Sequence, residues 1–285
     1  MSTTPMIWFN GDLIAADSLR VSPFDLGLTV GLGVFETMVA YDGQVFAYDL
    51  HHERMVSSAD KLGLDVPNDR VIKTAISELI EANGDHKGRL RIRVTLSGGA
   101  NPLAGGDEAG SVMVTTCDLP AVADKLPVRL TWVPFAINER GATAGIKSTS
   151  YANHVLALRH ALRAGAGEGL MLNSQGQLAE GAMSNVFLVK DGAVFTPSLM
   201  SGCLPGVTRQ LVIMLCSELG ISVQQSELGT EDVEQADEIF LTSSLREVQA
   251  AELLGADPSA VGGITSRITS HIAEAYAARV REELS

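Results

Sequence analysis

The chain has 285 residues, 46% hydrophobic and 19% charged, enough apolar material for two modest packed domains and without the composition of a disordered protein. Its 34 acidic against 21 basic residues give a formal charge of −13, a field that repels phosphate backbones and anionic lipid, so neither nucleic acid nor a membrane is an expected partner. Cys117, Cys203 and Cys216 are far apart and form no Cys-x-x-Cys pair, so no disulfide framework and no metal site is expected. With no basic–apolar leader and no run of ~20 apolar residues, a cytoplasmic location is expected.

In chain order, Met6–Phe9 reads as a strand closed by Asn10-Gly11, a hairpin signal. Val34–Tyr41 and Gln44–Tyr48 flank Asp42-Gly43 as a second hairpin. Helical spacing runs over Leu50–Leu64, stopping at Gly63, and over Val71–Ala82, ended by Asn83-Gly84. In Arg89–Leu96 the residues Arg89, Arg91 and Arg93 point one way and Leu90, Ile92 and Val94 the other, the mark of a half-buried strand. Residues 97–110, rich in Gly, Pro and Ala, read as a long loop and a possible lid, followed by a strand over Ser111–Cys117. Pro120 marks a boundary. Residues 1–118 form a small N-terminal α+β domain, 119–126 a linker, and 127–285 a larger C-terminal α+β domain.

The second part opens with a strand over Val128–Pro134 and a helix over Ala152–Ala166. Gly169–Leu172 with Gln177–Ala179, and Asn185–Val189 with Ala193–Thr196, form two more hairpins. A helix over Val207–Leu219, a strand over Glu238–Thr242 and a helix over Ile264–Glu283 complete the chain. Many hairpins and few βαβ units argue for an α+β fold rather than a doubly wound sheet.

Taken singly, the chemically interesting residues have ordinary explanations. Lys147 reads as a surface lysine; a lysine that forms Schiff bases needs desolvation to keep its amine nucleophilic. Glu180, ahead of Gly181, reads as a turn carboxylate. Pro205-Gly206-Val207-Thr208-Arg209 opens a helix whose amides and hydroxyl would suit a phosphate, and Thr242-Ser243-Ser244 sets three hydroxyls in a row, though Ser and Thr serve equally as caps. Arg54 reads as a helix-face arginine. His86, His154, His160 and His271 show no metal spacing and read as surface or helix histidines.

As a set they fit one pattern. Gly33-Val34-Phe35-Glu36-Thr37, His51-His52-Glu53-Arg54, Lys147-Ser148, Glu180-Gly181 through Phe187, Pro205 through Arg209, and Ala236-Asp237-Glu238 through Ser244 occur in the order and approximate spacing of fold-type IV pyridoxal-phosphate enzymes. The chain resembles that class-IV aminotransferase family from about Ile7 to about Val248. The resemblance implies a two-domain α+β fold with pyridoxal 5'-phosphate bound at the domain interface. It implies that Lys147 carries the cofactor and then shuttles the proton, and that Glu180 faces the pyridine nitrogen. Arg54, the amides of Val207 and Thr208, the Thr208 hydroxyl, Ser243 and Ser244 would hold the phosphate, and Tyr151 would lie near the phenolic oxygen. In branched-chain aminotransferases the comparable Tyr lies one residue further from the lysine. A homodimer is also implied.

The family spans several reactions. Members first remove a proton from the carbon bearing the amine; an aminotransferase then moves the amino group, whereas 4-amino-4-deoxychorismate lyase eliminates at the next carbon to give 4-aminobenzoate and pyruvate. Phe35-Glu36-Thr37 resembles lyase-like sequences, where branched-chain aminotransferases usually carry Gly at the position of Thr37, and Thr242 through Arg246 resembles them likewise. Thr37 would orient the substrate or relay a proton. The alternative is an aminotransferase for branched-chain amino acids, D-amino acids or amines; the Arg-x-His pair of D-specific enzymes is missing after Leu96. Arg89, Arg91, Arg93, Arg246 or the backbone at 243–245 would receive a substrate carboxylate. A third reading, a non-catalytic homodimeric relative, is disfavoured by the joint presence of Lys147 and Glu180.

Overall fold

Asn10 and Gly11 take φ of 51° and 108° and turn β1 (Met6–Phe9) onto β2 (Asp12–Ala15), as the Asn-Gly signal requires. The computed structural model describes residues 4–84, 87–100, 109–120, 126–255 and 267–285. The chain divides into two compact units, Met1–Ala121 with Ile146–Tyr151, and Val122–Gly145 with Ala152–Glu283. Both mix helices with largely antiparallel sheet, so the fold is α+β.

In the first unit, β3 (Gly33–Tyr41), β4 (Gln44–Val45), β5 (Arg89–Ser97) and β6 (Val112–Leu119) join the first hairpin in an antiparallel sheet of order β2-β1-β6-β5-β3-β4. The strand expected over Gln44–Tyr48 ends after two residues, because Ala47 turns at φ 53° and α2 (Tyr48–Lys61) begins at once. Helix α3 (Asp69–Asn83) starts where the Asn68 side chain accepts the Arg70 N–H at 2.9 Å. Its Ile72, Ala75, Ile76 and Leu79, at helical spacing, pack with Leu90, Ile92, Val94 and Leu96 of β5. Each large apolar side chain buried this way contributes about 2 kcal/mol.

The arginines of β5 alternate with that core, as expected. Register pairs Phe35 with Thr95, Thr37 with Arg93, and Val39 with Arg91, so these residues share the sheet face opposite the apolar core. A four-residue helix, α1 (Leu26–Thr29), carries no sequence signal of its own; the buried Asp25 carboxylate caps it, accepting from Gly27 N–H and the Ser97 hydroxyl, both at 2.6 Å.

The second unit holds an eight-stranded mixed sheet built from β7 (Val128–Trp132), β8 (Glu168–Leu172), β9 (Leu178–Gly181), β10 (Asn185–Lys190), β11 (Ala193–Pro197), β12 (Val223–Ser226), β13 (Glu238–Ser243) and β14 (Glu247–Leu253). The order is β12-β11-β10-β13-β14-β7-β8-β9, with parallel contacts at β12–β11, β14–β7 and β7–β8. Helices α4 (Ala152–Arg163), α5 (Val207–Glu218), α6 (Thr230–Glu234) and α7 (Arg267–Glu283) accompany it. At its centre Phe187 of β10 stacks on its cross-strand partner Phe240 of β13, centroids 4.7 Å apart. Strands β12 and β14 and helix α6 escape the periodicity reading: Val-Gln-Gln-Ser has one apolar residue, and five residues hold too little of a helical period. The centre of the proposed lid, residues 101–108, His86 and the expected start of the last helix at Ile264 lie outside the described residues.

Candidate active site

Lys147 is placed by backbone, not by a helix. Its carbonyl accepts the Phe35 N–H at 2.9 Å, the Thr149 N–H donates to Gly33 O at 2.8 Å, and Ser148 forms an isolated antiparallel bridge to Val34, so residues 147–149 are tied to the start of β3. Gly33 is needed for this approach: a Cβ there would stand 2.5 Å from Leu96 O and 2.9 Å from Thr149 Oγ1. The Lys147 Nζ lies 4.5 Å from the Phe35 ring centroid and 5.4 Å from that of Tyr151, whose ring meets Phe35 edge-on at 5.2 Å. The Arg93 guanidinium stacks on Phe35 at 3.7 Å. It donates to Thr95 Oγ1 at 3.3 Å and has no carboxylate partner among the described residues. Burial, then the charge of Arg91, lower its pKa. Thr37 stands directly across from Arg93.

On the core face of the same strand, Glu36 is 1% exposed. Arg54 grips it with Nε on Oε1 and Nη2 on Oε2, at 2.8 and 2.7 Å, and His51 Nδ1 lies 2.7 Å from the same Oε2. Burial alone would raise the Glu36 pKa, but the Arg54 charge and the hydrogen bonds of Arg54 and His51 overrule it and hold the carboxyl far below the usual range. Burial lowers the His51 pKa, against the pull of Glu36. His51 therefore works as a neutral ring donating Nδ1–H to an ionised carboxylate. His52 instead stacks on Tyr48. The expected helix-face arginine is thus a fork locked onto a strand carboxylate.

In the second unit Glu180 is 6% exposed at the end of β9. Leu204 N–H donates to its Oε2 at 2.9 Å, and His154 Nε2 lies 3.2 Å from its Oε1. His154, read as an unremarkable helix histidine, is brought onto this carboxylate from 26 residues away. Only the register of α4 over β8 and β9 produces the pair, so no local signal marks it. Three residues past Leu204, α5 begins. The Asn185 amide donates to Leu204 O at 2.9 Å, and its oxygen packs so tightly on Gly206 that any side chain there would collide with it. Helix α5 leaves its first N–H groups without helical acceptors, beside the buried Thr208. Across the sheet from Asn185, the buried Thr242 hydroxyl has no partner among the described residues. Ser243 Oγ accepts the Arg246 N–H at 3.2 Å.

The candidate carboxylate-binding arginines separate cleanly. Arg246 donates to Gly167 O at 3.1 Å and to Gln249, and lies 3.5 Å from the buried Glu168. Arg89 donates to Pro120 O at 3.3 Å and covers Tyr41. Arg93 alone of the four stacks in the aromatic group that surrounds Lys147.

Residues 33–253 match the family Amino-transferase class IV, more than half of the chain, and the chain belongs to that family. It is a pyridoxal-phosphate-dependent enzyme of fold type IV, an aminotransferase or a lyase. A putative branched-chain-amino-acid aminotransferase of Methanocaldococcus jannaschii is 32% identical over 248 residues, 85% of each chain. Aminodeoxychorismate lyase of Bacillus subtilis is 31% identical over 254 residues, covering 85% of this chain and 84% of that one. The crystal structure of branched-chain aminotransferase from Thermoproteus uzoniensis with norvaline superposes with TM-score 0.86 at 30% identity, over 96% of this chain and 93% of that one. The donor set fits the cofactor. Within the second unit, a buried carboxylate held by donors suits a pyridine nitrogen, and a helix N-terminus flanked by hydroxyls suits a phosphate; one of those hydroxyls, on Thr242, has no partner among the described residues.

Proposed function

We propose that this enzyme is a 4-amino-4-deoxychorismate lyase, converting that substrate to 4-aminobenzoate and pyruvate. The supporting observation is the chemistry of the sheet face that carries Phe35: Thr37, Arg91, Arg93 and Thr95 line it. Hydroxyls and guanidinium groups suit a substrate rich in carboxylate oxygens; against a branched aliphatic side chain they would lose hydration without gaining partners.

Lys147 would hold the cofactor through its amine, and the same amine would take the proton from the carbon bearing the substrate amine. Pyridoxal phosphate, when bound, supplies the carbonyl for the amine and a ring that accepts the released electron pair. Glu180 holds a proton at the ring nitrogen. Arg54, the Val207 and Thr208 amides, the Thr208 hydroxyl, Ser243 and Ser244 would hold the phosphate, and Tyr151 would serve the phenolic oxygen. Arg93 grips a substrate carboxylate while the Phe35 and Tyr151 rings keep water from the amine. As the enolpyruvyl oxygen leaves the neighbouring carbon, the Thr37 hydroxyl relays a proton to that fragment, so substrate and products balance atom for atom. The enzyme works as a cytoplasmic homodimer; Phe24, Leu28 and Val30, 55%, 65% and 67% exposed in one short stretch, support an interface.

A second reading, a branched-chain aminotransferase, is supported by the likeness to the M. jannaschii and T. uzoniensis proteins. Mixing the holoenzyme separately with L-leucine, L-glutamate, D-alanine and aminodeoxychorismate made in situ distinguishes the two. Release of 4-aminobenzoate with the cofactor spectrum restored each turnover is expected. Conversion of the cofactor to its amine form by an amino acid, reversed by a keto acid, would establish the aminotransferase instead. Lys147→Ala should lose either activity and the cofactor's borohydride-trapped attachment; a fully active variant overturns the assignment.

A further inference from the structure

Glu180 has a hydrogen-bond partner on each oxygen, and the two partners differ in kind. Oε2 accepts from a backbone amide, Leu204 N–H at 2.9 Å, which is fixed by the chain and cannot change charge. Oε1 faces His154 Nε2 at 3.2 Å. No lysine or arginine forms an ion pair with Glu180 among the described residues, so the imidazole is the one cationic or potentially cationic side chain at ion-pair distance. The ring is mostly enclosed, with 21% of its side chain exposed, and it is mounted in the first turn of α4. The α4 backbone packs on β8, and β8 pairs Met171 with Glu180 itself. Imidazole and carboxylate are therefore carried by adjoining regular elements, which leaves the side chains little room to drift apart.

We infer that His154 is a positioning residue for the cofactor: by donating Nε2–H to Oε1 it fixes the rotamer of Glu180 and keeps its charge directed at the pyridine nitrogen. This rests on the reading that Glu180 faces that nitrogen. A carboxylate tethered at one oxygen by Leu204 can still swing about its terminal torsion, which is broad and soft. A second donor on the other oxygen removes that freedom. His154 touches neither substrate nor cofactor in this scheme; it acts through Glu180 alone.

The test uses full-length holoenzyme loaded with cofactor labelled with nitrogen-15 in the ring, whose chemical shift reports protonation of that nitrogen directly. His154→Leu should move the resonance toward the unprotonated position and weaken cofactor affinity about tenfold, the scale of one charge-assisted hydrogen bond. His154→Gln, whose amide nitrogen can take the place of Nε2, should keep the wild-type resonance and affinity. Thermal unfolding of each apo-variant separates a folding defect from a local effect. An unchanged resonance in His154→Leu overturns the inference, as does a His154→Gln variant that folds yet behaves like Leu. Glu180→Gln is the control: if it leaves the resonance in place, the assignment of Glu180 has failed. If it moves the resonance while His154→Leu does not, the role of His154 alone has failed.

Discussion

Glu36 and Glu168 are equally hidden from water, 1% and 0% exposed, and they ionise in opposite directions. In the first unit Arg54 meets Glu36 through two nitrogens at 2.7 and 2.8 Å, and His51 adds a third contact, so the carboxyl stays ionised against the cost of burial. In the second unit burial pushes the Glu168 carboxyl above its usual range; Arg246, at 3.5 Å and shared with Gly167 O, only partly opposes it. The remaining partners of Glu168 are neutral: the amides of Gly169 and Met183 and the Ser184 hydroxyl. Burial therefore does not set the charge of an interior carboxylate; the distance and number of its cationic partners do. The two sites also do different work. Glu36 anchors Arg54, the arginine proposed to hold the phosphate, whereas Glu168 ties residues 183 and 184 to β8.

The largest effect should come from Glu36→Gln, which leaves Arg54 buried beside a neutral amide and should cost about 3–5 kcal/mol of stability by denaturant unfolding. A loss below about 1 kcal/mol would show that Arg54 finds another partner and that the comparison is misdrawn. Next comes the acid limb of stability. A carboxyl whose pKa is depressed on folding stabilises the protein above its ordinary value of 4.5, and that stability drains away as pH falls below 4.5 toward the folded value. The penalty of Glu36→Gln should accordingly shrink on acidification from pH 5 to 3, and a constant penalty would contradict an ionised Glu36. Smallest is Glu168→Gln, expected to cost under about 1 kcal/mol near neutrality, since burial already opposes the carboxylate's charge and an amide oxygen can accept the same amide and hydroxyl hydrogens. Its pH trend should run the other way. A raised pKa penalises the folded state as pH climbs through 4.5 and beyond, so Glu168→Gln should gain on wild type with rising pH. Parallel slopes for the two variants would remove the distinction between the sites.

Much of the fold was legible because its turns are chemically explicit. Asn10-Gly11, Asp42-Gly43 and Asp191-Gly192 all adopt the positive φ that such pairs favour, and the strands on either side follow. The strict alternation in β5 gave its two faces. Elements that depend on partners rather than pattern were invisible: α1 exists because Asp25 reaches Ser97, 72 residues away, and β12 because β11 offers it an edge. Family motifs pointed to Lys147, Glu180 and the α5 entrance, but not to how Lys147 is held, which depends on Gly33 admitting Thr149.

By itself, then, the sequence determined the hairpins, the helical faces, the half-polar strand of arginines and the family, because these reside in local periodicity, turn chemistry and ordered motifs. Only the tertiary structure decided which arginine joins the aromatic group around Lys147, that Arg54 is spoken for by Glu36, and that His154 meets Glu180. Those are pairings across 18 to 58 residues whose energy depends on ångström distances and on exclusion of water, quantities that arise only when the sheets and helices have packed.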